Sequence, residues 1–83
     1  MSKVALVLSM VINAGNASYG GDSITIVDDM QTCKLAAEAY MRTKNEVRNI
    51  SRNGSTLKFS IGSMVPDRYE ISCRELEVNQ NGF

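Results

Sequence analysis

The sequence contains no histidine and no tryptophan, a single proline, two cysteines and no excess of either charge, with nine lysines and arginines against nine aspartates and glutamates in 83 residues. Each absence excludes something. Without histidine the chain lacks the commonest general base and the commonest zinc ligand, and two cysteines alone do not complete a zinc site. Zero net charge is not the balance of a dedicated DNA- or RNA-binding domain, which is usually strongly basic. No apolar run approaches the length that spans a membrane as a helix. What remains is ordinary globular usage, 43% hydrophobic and 22% charged, which argues against wholesale disorder. A chain this short holds one modest core, so a single domain over residues 1–83 is expected.

Lys3 followed by the apolar stretch from Val4 to Ile12, with small residues at Ala14, Gly15 and Ala17, has the outline of a short signal peptide. The stretch is nevertheless short and rich in β-branched residues, and it carries apolar groups on both alternating faces. It therefore reads as a strand in the middle of a sheet, which places the working protein in the cytoplasm. Residues 13–22 hold three glycines and no core-forming run, and read as a flexible loop. Ser23 to Val27 alternates as a second strand, paired antiparallel to the first.

Asp28 with Gln31 three residues on forms a capping-box pattern. Apolar or small residues then recur at Cys33, Ala36, Ala37, Tyr40, Thr43, Val47 and Ile50, which predicts one helix running to Ile50 and stopping at Asn53-Gly54. The competing reading ends the helix near Lys44 and makes 46–51 a strand of a hairpin. Leu57, Phe59 and Ile61 mark a further strand. Tyr69, Ile71 and Cys73 mark another, whose pattern slips at Leu76 and Val78 as though bulged. Residues 79–83 form a polar tail. The fold class is α+β, a ββαββ domain with one helix packed on one face of an antiparallel sheet.

Three groups of residues are candidates for function. Cys33 and Cys73 fall on faces expected to meet. Two buried free thiols are the expectation for a cytoplasmic chain, and a disulfide worth roughly 4 kcal/mol is the alternative. Lys44, Arg48 and Arg52 are spaced four apart, which would make one row on the end of the long helix with Arg42 beside it. Such a row suits an acidic partner, and it also suits a helix dipole. Tyr19, among glycines and small polar residues, has the setting of an aromatic anchor in a binding loop. No nucleophile–base pair, metal spacing or cofactor fingerprint is present, so neither an enzyme nor a metal or cofactor binder is expected.

A strand near the start, a helix carrying Cys33-Lys34-Leu35-Ala36-Ala37-Glu38-Ala39 and a closing strand with Ile71-Ser72-Cys73 together resemble small phage-encoded accessory proteins. That resemblance implies an inhibitor that occludes a host protein, in the manner of anti-CRISPR proteins, and it carries over no site residues. The expectation is a protein-binding module that contacts a host protein or complex through Tyr19, Arg42, Lys44, Arg48 and Arg52. It involves no membrane and no direct nucleic-acid contact, and it leaves room for a homodimer. Two alternatives stand beside it. One is an oligomer that sequesters a small anionic ligand, and the other is a secreted domain stapled by a disulfide.

Overall fold

The computed structural model describes residues 3–14, 17–62 and 64–76. Strand β1 (Lys3–Ala14) and strand β2 (Ala17–Val27) are followed by helix α1 (Met30–Arg42), then by β3 (Val47–Asn53), β4 (Thr56–Ile61) and β5 (Asp67–Leu76). All five strands form one antiparallel sheet in the order β2-β1-β5-β4-β3. The α+β class and the antiparallel pairing of the first two strands are as the sequence predicts, with one more strand after the helix than expected.

One face of the sheet packs on α1. Leu8 of β1, Leu57 and Phe59 of β4 and Tyr69 and Ile71 of β5 meet Ala37 and Met41 of the helix. A second cluster at the other end of α1 joins Val4, Cys33 and Cys73. Phe59 and Tyr69, directly opposed across β4 and β5, stack with centroids 5.0 Å apart. The period-2 alternation of β4 and β5 thus points Leu57, Phe59, Ile61, Tyr69, Ile71 and Cys73 to the helix side. Apolar burial on this side supplies the main stabilisation.

Helix α1 begins one residue later than the capping-box pattern implies. Asp29 is the N-cap, and its carboxylate accepts the Thr32 backbone N–H at 2.7 Å. Asp28 instead receives Lys3 Nζ at 2.7 Å, an exposed ion pair. The helix ends at Arg42, not at Ile50. Residues 47–53 form β3, and the turn after Asn53 is built on Gly54 at φ +62°. Gly54 is the first of two central hairpin residues, the position at which a type II′ turn requires glycine. The 3–4 spacing of Val47 and Ile50 comes from a β-bulge. The register of β3 on β4 shifts between Arg48 and Ser51, and Asn49 sits at φ +56°. One added residue there converts a strand period into something that resembles a helical one.

Residues 17–22, expected as loop, continue β2 without interruption, with Tyr19 opposite Ile12 and Gly20 opposite Val11. Asn13 fastens this hairpin to the far turn. Its N–H donates to Asp67 Oδ1 and its side-chain amide donates to the Pro66 carbonyl. The slip expected after Cys73 is also absent within the described residues, since β5 stays in register with β1 from Arg68 to Leu76. Glu77, Val78 and the expected tail at 79–83 lie outside the described residues.

Cys33 and Cys73 are joined by a disulfide, with sulfurs 2.05 Å apart and no exposed surface on Cys33. The expectation of two free thiols is therefore replaced by its alternative. Cys33 lies in the first turn of α1 and Cys73 on the helix-facing side of β5, so the bridge ties the helix start to the centre of the sheet.

Candidate protein-binding surface

Among the described residues, no helix covers the side of the sheet facing away from α1. Strand pairing assigns its rows directly. Ile26, Ala5 and Arg74 form one row, and Ile24, Val7, Ser72 and Thr56 the next. Asp22, Ser9, Glu70 and Lys58 follow, then Gly20, Val11, Arg68, Ser60 and Arg48. An antiparallel sheet open on one side normally shows polar residues there. This one does so over most of β5, β4 and β3. Over β1 and β2 it shows Ile24 at 68% exposure and Ile26 at 54%, with Val11 also exposed.

Beside that apolar corner runs a cationic band. Among the described strand residues, Arg48, Lys58, Arg68 and Arg74 share the face with two acids, Asp22 and Glu70, and Glu70 is taken up by Lys58 at 3.4 Å. Arg48, Arg68 and Arg74 have no ion-pair partner among the described residues. A neutral chain thus concentrates positive charge on one surface. A depression of about 650 Å³ opens in the band, lined by Val11, Asn49, Lys58, Ser60, Arg68 and Glu70 among others. Its wall at β3 is fixed by polar bonds, since Asn49 Nδ2 donates to Ser60 Oγ at 2.9 Å and Ser60 Oγ donates to the Arg48 carbonyl at 3.2 Å. The described aromatic side chains Tyr19, Tyr40, Phe59 and Tyr69 belong to the helix or to the helix side of the sheet, so none is available for base stacking on the open face.

The basic residues singled out in the sequence do not form a helical row. Arg42 closes α1, whereas Arg48 and Arg52 lie on β3 and on opposite faces of the sheet. Arg52 faces α1 and makes a bidentate pair with Glu38, at 2.8 and 2.7 Å. These hydrogen bonds hold Glu38 below the usual carboxylate range and raise Arg52 in turn. Lys44 lies over the Tyr40 ring, 4.7 Å from its centroid, with Tyr69 at 5.8 Å. Arg52 and Lys44 therefore do structural work, and of the four only Arg48 stands on the open face. Tyr19 is 62% exposed on β2, on the helix side of the sheet. Sequence reasoning missed Arg68, Arg74, Ile24 and Ile26. The alternation of Arg68 and Arg74 with Tyr69, Ile71 and Cys73 marked the outward side of β5, but only the strand order puts them beside Ile24 and Ile26.

Among the described residues no helix is long and apolar enough to cross a membrane. No protein-family model, curated protein or solved structure matches this chain.

Proposed function

We propose that the chain is a non-enzymatic protein-binding module that engages its partner through the open face of the sheet. The observation that carries this reading is the pairing, on one uncovered face, of an apolar corner at Ile24 and Ile26 with the band of Arg48, Arg68 and Arg74. Apolar anchors beside unpaired cations suit a protein surface that offers acidic groups around an apolar patch. The disulfide removes the one candidate thiol nucleophile, which supports a binding role over a catalytic one. The finer form of this reading is a phage-type inhibitor that occludes a host protein, and it rests on the resemblance given above.

A second reading concerns the setting and has its own observation. A buried disulfide is the mark of a domain that works where thiols are oxidised, which favours the secreted, stapled form of the module over a cytoplasmic one.

The test is affinity capture with the tagged chain from the source cells, run in parallel with two variants. Arg68→Glu/Arg74→Glu alters the open face and Arg42→Glu alters the end of the helix. A partner retained by wild type and by Arg42→Glu but lost with the double variant, at unchanged circular dichroism, is the expected result. Equal capture by all three overturns the assignment of this face.

A further inference from the structure

The two edges of the sheet are built differently. Strand β3 is guarded by a bulge, by Asn49 in the left-handed region, and by Arg48 and Arg52. Such irregularity and charge are the usual means by which an edge resists pairing with another strand. Strand β2 has none of them. It runs eleven residues in unbroken register on β1, with Asp22 as its one charged residue and no lysine or proline. Ten of its residues are exposed. Its glycines are not demanded by the fold either. A Cβ at Gly20 would meet nothing closer than the Met10 carbonyl at 3.9 Å, and one at Gly21 would meet Met10 Cγ at 4.0 Å, both ordinary contacts.

We infer that β2 pairs antiparallel with β2 of a second copy of this chain, about a two-fold axis at Thr25, to give one continuous ten-stranded sheet. The sequence Ser23-Ile24-Thr25-Ile26-Val27 is self-complementary about that point. Residues an equal number of positions either side of Thr25 come opposite one another and share a face, as strand pairing requires. On the open face Ile24 of each copy then lies against Ile26 of the other, so four isoleucines close into one patch. On the helix side Thr25 meets Thr25, a favourable cross-strand pair. Asp22 falls outside the five-residue ladder, so no like charges stand directly opposite within it. The residue that it would next approach, Asp28, already holds Lys3. A second copy is favoured over an unrelated strand because only an isologous contact satisfies both isoleucines twice. The apolar corner is then half of a patch that the second copy completes.

A ladder of this length buries less than the roughly 800 Å² per partner of a standard interface, so the dimer is concentration-dependent. Sedimentation equilibrium of the full purified chain, with no partner present, is expected to pass from the mass of one chain to that of two between about 5 and about 500 µM. Ile24→Lys/Ile26→Lys, which places like charges opposite one another, is expected to remain monomeric over that range. Ile24→Lys/Ile26→Glu, which places opposite charges together twice, restores association. The native cysteines are bonded to each other, so an added thiol reports register cleanly. Thr25→Cys is expected to cross-link into a dimer on mild oxidation and Ser23→Cys is not. A wild-type chain monomeric throughout overturns the inference, as does a dimer indifferent to the Ile24→Lys/Ile26→Lys change. Capture of a partner by the open face has no bearing on either result, so the two readings fail separately.

Discussion

Removing the bridge between Cys33 and Cys73 is the perturbation with the largest calculable effect. The cross-link spans 40 residues. In the chain-entropy description, closing a loop of that length removes about 13 cal/mol/K from the unfolded ensemble, which is about 4 kcal/mol at 25 °C. Replacing both cysteines by alanine also leaves a small void in the cluster that Val4 shares with them, which adds about 1 kcal/mol. A domain of 83 residues has a total stability of about 4–12 kcal/mol, so the loss is a large share of the whole. With an unfolding entropy of about 2 cal/mol/K per residue, the melting temperature should fall by about 20 °C or more. Thermal melts of wild type and Cys33→Ala/Cys73→Ala, followed by circular dichroism, measure this directly. Intact mass confirms that the wild type lacks two hydrogens. Reductant alone is the weaker probe, because sulfurs this buried are reached only after opening. A fall of under about 5 °C would refute the reasoning, since it would mean that the reduced chain is already confined to a similar degree.

The helix cap separates two adjacent aspartates. Asp29→Ala should lower the melting temperature by about 5 °C and Asp29→Asn by much less, while Asp28→Ala, which breaks only an exposed pair, should do little. The Thr32 backbone N–H holds the Asp29 carboxyl below the usual range. Its folded pKa is thus depressed, so its contribution is complete above the unfolded value and is lost as pH falls through the folded one. The difference in melting temperature between wild type and Asp29→Ala should accordingly shrink below about pH 4, and a gap that widens there would contradict the assignment. At glycines the sign depends on the backbone. Gly54→Ala at φ +62° should destabilise by about 1 kcal/mol, whereas Gly20→Ala should be neutral or stabilise by up to about 1 kcal/mol in denaturant titrations.

Strands β4 and β5 were legible because each alternates a large apolar residue with a polar one, as Leu57, Phe59 and Ile61 do, and β1 because it is apolar on both faces. The helix end was not legible, because the bulge after Arg48 places Val47 and Ile50 three apart and imitates one more turn. Asn53-Gly54 between two alternating segments was the local signal for the hairpin. The outer half of β2 escaped notice for the opposite reason. Its residues 17–22 are all exposed, so burial imposes no periodicity on them and the glycines look like loop. For the candidate surface, the composition of each strand was readable, but adjacency was not. That β5 lies between β1 and β4 is a property of the whole sheet, and it alone joins Arg68 and Arg74 to Ile24 and Ile26.

The same strand order governs how the chain comes together during synthesis. The β1–β2 hairpin and the β3–β4 hairpin are each local and can form as they emerge. They share no ladder of their own, and only β5, the last strand described, bonds to both. Until it is made, the nascent chain is two hairpins and a helix whose apolar sides have no common partner, and Cys33 has no cysteine to meet. The Cys73 backbone N–H then donates to the Ser55 carbonyl at 2.9 Å as β5 slots beside β4, bringing the second sulfur to the first. Cooperative folding is therefore deferred until translation has passed this strand. A chain cut short before residue 67 lacks β5 and yields two exposed hairpins for proteases to find.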